Sequence, residues 1–185
     1  MTSRLRTLAC ALLLVPASRH LHAAPPAGAS TDTTALQFHG FRAGARLDEL
    51  SSLIREMDGS PLRCNRSKAD ERVTECRATL STDELGGPLQ VWVSAIDSVA
   101  GVIMLSGEVA PDQLDRWRGA VERHYGRVDA KVQGGQWMMQ WVRRGRMLRL
   151  TWRIERGEKV ASLSLVDGRV LDAWGRTRSR RAARS

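Results

Sequence analysis

The stretch that decides the fold is QWMMQWVRRGRMLRLTWRIERGEKVASLSLV, residues 136–166. It contains two dipeptides, Arg144-Gly145 and Arg156-Gly157, in which a glycine suits the positive φ of a two-residue hairpin turn. Turns at these two places fix the antiparallel pairing of everything between them. The sequence therefore predicts a three-stranded meander with strands at about 136–143, 146–155 and 158–166.

The register set by these turns agrees with the apolar pattern of the stretch. It pairs Trp137 with Trp152 and Leu150 with Leu163, whereas a slip of one residue would move every side chain to the other face. The face predicted to be buried consists of Trp137, Met139, Trp141, Leu148, Leu150, Trp152, Ala161, Leu163 and Leu165.

The opposite face of the meander has a mixed character. Two interpretations of it are open: an ordinary solvent face, or a surface that binds a partner because apolar side chains on it are exposed. The candidate interaction residues on this face are Met138, Gln140, Val142, Met147, Arg149 and Arg153.

Further strands and helices are predicted outward from the meander. Strands are expected at Arg72–Leu80, with the Cys64 segment as a candidate hairpin partner, at Leu89–Ile96 and at Val99–Leu105. The last two are nearly continuous apolar runs, which indicates strands covered on both faces or using one face for contact.

Apolar residues at helical spacing predict helices at about 46–57 and 111–125. Pro111 suits the first turn of the second helix, and Gly126 its end. The predicted fold class is α+β: an antiparallel sheet built from two successive helix-plus-three-strand units, with the helices packed on one face.

The N-terminal residues have the three parts of a secretory signal: Arg4 and Arg6, an apolar run from Leu8, and a small-residue exit. The predicted organisation is a signal peptide at 1–23, a flexible linker at 24–36, a single domain at 37–175 and a disordered basic tail at 176–185. Cleavage after Ala17, Ala23 or Ala24 fits the sequence, and the expected location is periplasmic or extracellular.

The net charge of +9 comes from the two ends of the chain. With the three arginines of residues 1–23 and the five of residues 176–185 set aside, 21 basic residues remain against 20 acidic ones. A nearly neutral domain argues against a nucleic-acid partner. The tail is either a solvated end or a weak contact with anionic surfaces such as lipid head groups.

The cysteine pattern agrees with export. Removal of the signal leaves Cys64 and Cys76, an even pair that predicts a disulfide in an oxidising compartment. A metal site is not expected, because the chain has no Cys-x-x-Cys motif and few histidines.

The sequence contains no motif of a known catalytic centre or phosphate-binding loop, so neither catalysis nor a cofactor is predicted. His124, near the end of the second predicted helix, is the one candidate general base and defines the alternative, an envelope-associated enzyme or enzyme subunit. A purely structural envelope component is a third hypothesis.

Gly44-x-x-Leu47-x-x-Leu50, in a helix that ends at Gly59-Ser60-Pro61, follows the signal and precedes three strands. This order resembles small periplasmic α/β domains, namely the β-lactamase-inhibitor-protein-like domains and the outer-membrane-assembly lipoproteins of similar architecture. The resemblance covers residues 38–107 and lacks the paired short helices and the lipoprotein cysteine of those families. It implies a binding or scaffolding role and carries over no site residues. The favoured function is therefore a non-enzymatic periplasmic binding protein for an unknown protein or envelope component.

Overall fold

The computed structural model of the protein describes residues 35–82 and 85–182, and within them the chain forms ten strands and three helices. In chain order these are β1 (Gln37–Phe38), β2 (Phe41–Arg42), α1 (Leu47–Glu56), β3 (Arg63–Arg66), β4 (Val73–Thr82), β5 (Gly87–Ile96), β6 (Val99–Glu108), α2 (Pro111–Tyr125), β7 (Lys131–Gln133), β8 (Gln136–Arg143), β9 (Arg146–Glu155), β10 (Glu158–Asp167) and α3 (Gly168–Ala182). The predicted signal peptide and nearly all of the predicted linker lie outside the described residues.

The strands form one large antiparallel sheet beside a small hairpin. The eight-stranded sheet has the order β3-β4-β5-β6-β10-β9-β8-β7, and β1 pairs only with β2. Strands β6 and β10 join the two halves at the centre, with Leu105 opposite Leu163. Every strand of the eight-stranded sheet except β3 and β7 therefore has a neighbour on both sides.

The predicted register of the meander is confirmed. Trp137 lies opposite Trp152, Leu150 lies opposite Leu163, and the turn residues Arg144 and Arg156 have positive φ. The rings of Trp137 and Trp152 stack with centroids 6.3 Å apart. Local turn chemistry thus set the pairing of β8, β9 and β10 as the sequence indicated.

The predicted assembly of two helix-plus-three-strand units is wrong. Four strands follow α1, four follow α2, and a third helix ends the described chain. The candidate hairpin partner around Cys64 is confirmed as β3, which has four residues, all exposed. The three exposed residues of β7 were not predicted, because they carry no apolar alternation.

Helices α1 and α2 cover one face of the sheet, which we call the covered face. Leu50 and Ile54 of α1 and Trp117 of α2 are almost fully buried against it. The indole N–H of Trp117 donates to the carbonyl of Leu85, so its polar atom is satisfied in the core. The strands supply to this core Cys76, Ala78, Leu80, Leu89, Val91, Val93, Ile103, Leu105, Met139, Trp141, Leu148, Leu150, Ala161, Leu163 and Leu165.

The domain extends beyond both predicted bounds. Ala35 and Leu36, assigned to the flexible linker, are buried in the core. Helix α3 continues through Ala182 and so includes most of the tail predicted to be disordered from residue 176. The basic composition of the tail suggested disorder, but its helix begins inside the domain and propagates outward.

A buried carboxylate starts α3. Asp167 is 1% exposed, accepts a hydrogen bond from the backbone N–H of Arg169, and forms an ion pair with Arg146 at 2.8 Å. Gly44 makes room for it, because a Cβ at that position would lie 2.7 Å from a carboxylate oxygen of Asp167. Asp167 therefore caps the helix and neutralises a buried arginine.

The predicted disulfide joins Cys64 of β3 to Cys76 of β4, which are directly opposite in the ladder. Cys76 is fully buried under α1 and α2, whereas Cys64 is at the exposed edge of the sheet. Among residues 35–82 and 85–182, no helix combines the length and the apolar composition needed to cross a bilayer.

Candidate functional site: the open face of the sheet

The face of the sheet opposite α1 and α2, which we call the open face, is the candidate site. One row of paired residues crosses seven strands on it, since each pairing brings neighbouring side chains to the same side. From β3 to β8 the row consists of Arg63, Arg77, Trp92, Met104, Ser164, Arg149 and Gln140.

Large apolar side chains lie at the centre of the open face. Trp92 and Met104 are direct partners on β5 and β6, and Val102, Val166 and Met147 follow one another across β6, β10 and β9. All five are half-buried by their neighbours within the sheet. A group of five neighbouring, partly accessible apolar side chains on a folded domain is typical of a contact site.

Small polar residues separate these apolar side chains. They keep the surface low and even, because none of them rises far above the sheet. They are Ser94, Ser106, Thr151, Ser162 and Ser164, all half-buried. Around these residues the surface has low relief, which suits a broad partner better than a small molecule, whose sites are concave.

Helix α3 limits the open face at the end of the sheet next to the β5–β6 turn. Ile96 belongs to the same side of β5 as Trp92, is 7% exposed, and lines a cavity together with Val170 and Trp174 of α3. Gly101 lies at the bulge of β6, and a Cβ there would meet Leu171 at 2.9 Å. The helix thus covers this end and leaves the middle of the sheet accessible.

The turn beneath α3 is held by polar contacts. Asp97 and Ser98 both have positive φ, which is unusual for residues other than glycine. Asp97 accepts hydrogen bonds from Nε and Nη2 of Arg72, and these raise the pKa of the Arg72 guanidinium above its ordinary value. The indole of Trp174 donates to Asp70, which ties α3 to the β3–β4 loop.

The six predicted interaction residues do lie on one face. Arg149 donates to the Gln140 side chain at 2.8 Å and so lies flat over the sheet, while Arg153 pairs with Glu155 near the far end. Val142 is 62% exposed near the β8 edge, and Met138 and Met147 are half-buried. The structure brings Met147, Arg149 and Gln140 together and sets Arg153 apart.

Sequence reasoning missed the centre of this surface. Trp92, Val102 and Met104 belong to nearly continuous apolar runs, in which alternation does not separate one face from the other. The strand register supplied the missing information, because β10 of the meander pairs with β6 in the middle of the sheet.

His124, the candidate general base, lies elsewhere, at the exposed end of α2. It shares a cavity with His39, which stands in the turn between β1 and β2. The lining residues include Gln37 and Arg123 but no hydroxyl, thiol or carboxylate side chain. The described chain also contains no group of three residues suited to hold a metal ion. The lining therefore offers no side-chain nucleophile that His124 could activate.

No protein-family model, curated protein or solved structure matches the chain.

Proposed function

We propose that this protein is a non-enzymatic binding protein of the cell envelope that docks a partner protein on its open face. The observation that carries the proposal is the contrast between the two sides of one sheet. Two helices bury the covered face, whereas the side chains of Trp92 and Met104 remain partly accessible at the centre of the open face.

The size of the open face supports a protein partner. The six long strands, β4, β5, β6, β10, β9 and β8, spaced by about 4.8 Å and taken over about six residue steps, give a surface of about 600 Å². That is of the same order as the roughly 800 Å² that each partner contributes to a standard interface. Tryptophan, methionine and arginine, the types at its centre, are also enriched at protein interfaces.

Placing a photo-reactive benzoylphenylalanine at Met104 tests the proposal in producing cells. We expect a discrete adduct from this position and none from Arg118, an exposed residue of α2 on the other side of the molecule. The partner is then identified by mass spectrometry and purified. Equal labelling from both positions contradicts the proposal.

The purified partner allows a quantitative test. Trp92→Ala is expected to weaken binding by about 30-fold, as for a central interface anchor worth about 2 kcal/mol. The matched control is Trp174→Ala, which removes a tryptophan that donates to Asp70 rather than facing the open surface. An unchanged dissociation constant for Trp92→Ala contradicts docking of the partner on the open face.

We further propose that the chain is exported and processed. The disulfide between Cys64 and Cys76 supports this, because such bonds persist in oxidising compartments. Intact-mass analysis of the periplasmic fraction is expected to show cleavage after Ala17, Ala23 or Ala24 and a mass two hydrogens below that of the dithiol. A full-length chain confined to the cytosol contradicts export.

The resemblance to the β-lactamase-inhibitor-protein-like domains and the outer-membrane-assembly lipoproteins remains part of this proposal, since both imply binding or scaffolding.

The arginines after residue 175 add a weak attraction to anionic lipid, about 1 kcal/mol per basic residue near the surface. Sedimentation with phosphatidylglycerol vesicles at low and high salt measures that contribution. Retention that does not depend on salt contradicts it.

A further inference from the structure

A shallow groove marks the β3 side of the open face. Its volume is about 480 Å³, and its polar lining includes Arg63 from β3 and Arg77 from β4. These two arginines are directly opposite in the ladder, which places their Cβ atoms about 5 Å apart. We call this feature the arginine groove; the rest of its lining is Ser60, Pro61, Asn65, Glu75, Ala78, Thr79 and Gln90.

The two guanidinium groups are not neutralised within the part of the chain that the structure describes. Neither Arg63 nor Arg77 has a hydrogen bond or ion pair there, in contrast to Arg42, Arg72 and Arg146. Like charges directly opposite each other destabilise a strand pair. An anion between them would relieve this repulsion and accept hydrogen bonds from both forks.

The disulfide holds the two arginines in register. Cys64 follows Arg63, Cys76 precedes Arg77, and the bridge lies on the covered side of the same two strands. The backbone of the arginine pair is therefore fixed before any ligand arrives. Preorganisation of this kind reduces the entropy lost on binding.

The position of the groove indicates that the anion belongs to the partner protein that covers Trp92. Arg77 is also the direct neighbour of Trp92, the aromatic residue at the centre of the open face. A partner protein that covers Trp92 would therefore also contact the arginine groove. Glu75, two residues before Arg77, also lines the groove, so the two arginines and this carboxylate leave a net charge of +1 that still favours an anion near Arg63 and Arg77.

We propose that the arginine groove binds a carboxylate of the partner protein, from an aspartate or glutamate next to apolar residues that cover Trp92. This rests on the proposed function and names the chemistry of the partner. Bidentate recognition of a carboxylate is the geometry that the arginine fork favours.

The test is a nuclear magnetic resonance titration of the purified full chain with two synthetic peptides. One peptide has two glutamates flanked by leucines, and the other has glutamines in their place. We expect the glutamate peptide alone to shift the guanidinium Nε signals of Arg63 and Arg77 and the indole signal of Trp92. Equal shifts with both peptides overturn the proposal.

Variants test the assignment of the site. The double variant Arg63→Gln, Arg77→Gln is expected to weaken binding of the glutamate peptide at least about tenfold, as for loss of charge-assisted hydrogen bonds. The matched control is the double variant Arg118→Gln, Arg123→Gln on α2, which removes the same two positive charges away from the groove and is expected to leave binding unchanged. Binding that survives the double variant overturns the proposal.

Competitors distinguish the source of the anion. If inorganic phosphate at equal concentration displaces the glutamate peptide, or if phosphatidylglycerol vesicles shift the same signals, the groove is not specific for a partner carboxylate and the proposal fails. Photo-crosslinking from Met104 reports on docking separately. If the glutamate peptide no longer binds specifically but the Met104 adduct persists in the double arginine variant, docking on the open face is supported and carboxylate binding in the groove is not.

Discussion

The covered and open faces belong to the same eight strands but differ in how deeply their side chains are buried. On the covered face, alternate residues such as Leu105 and Leu163 are fully buried under α1 and α2. On the open face, their neighbours Met104 and Ser164 remain half-exposed, and no helix lies over them within the described residues. Stability is therefore concentrated on one side of the sheet, and the other side is available for recognition.

A pair of tryptophan substitutions tests this contrast most strongly. Trp117→Ala on the covered side removes a side chain that is 1% exposed and is expected to cost about 3–5 kcal/mol of unfolding free energy. Trp92→Ala on the open face is expected to cost less, about 2 kcal/mol, because the indole is only partly buried there. Urea denaturation measures both, and equal losses contradict the division between the faces.

The disulfide provides the next largest effect, at the β3 edge. Replacing the exposed Cys64 with serine and the fully buried Cys76 with alanine opens a loop with a sequence separation of 12 residues. We expect a loss of about 3 kcal/mol, mainly through the greater freedom of the unfolded chain. Thermal unfolding of the variant and of the reduced wild type is expected to agree. A variant as stable as the oxidised protein indicates that the bridge contributes nothing.

The turn beneath α3 offers a gain in stability. Ser98 adopts φ of 66°, a conformation that glycine reaches without steric cost. We expect Ser98→Gly to raise the free energy of unfolding by about 0.5–1 kcal/mol, because release of strain exceeds the added flexibility of the unfolded chain. Ser94→Gly in the middle of β5 is the control and should be destabilising. A loss at both positions shows that the turn is not strained.

The smallest expected effect concerns pH and the start of α2. Hydrogen bonding to Arg116 lowers the pKa of Asp112 below its ordinary value of 3.8. A carboxyl whose pKa is lowered in the folded state stabilises the protein above its unfolded pKa, and this contribution is lost as pH falls through the folded value. The difference between wild type and Asp112→Asn should therefore shrink below about pH 4. A difference that is constant from pH 7 to pH 3 contradicts this.

The sequence predicted the parts of the fold that local chemistry determines. The meander, the two covering helices and the disulfide follow from turn residues, helical spacing and cysteine count. Strand β3 was predicted only as a candidate hairpin partner around Cys64, and β7 was not predicted, because Arg63–Arg66 and Lys131–Gln133 pair only where a neighbouring strand is already in place. Asp167 did offer a signal for α3, as a helix-capping residue, but the arginines beyond it favoured disorder.

The candidate site was predictable only in part. Met147, Arg149 and Gln140 were identified because turns fixed the register around them. Trp92 and the arginine groove depend on pairings between distant segments, and neither alternation nor motif encodes those. The surface is a product of sheet order rather than of any contiguous sequence.

The two outermost strands also determine how molecules of this protein meet at high concentration. The β3 edge carries Arg63 and Arg66, and β7 has only three residues before a Gly134-Gly135 turn. Short or charged edge strands discourage the strand-by-strand addition that leads to fibrils. The open face can therefore stay accessible to a partner without exposing long, unpaired strand edges beside it.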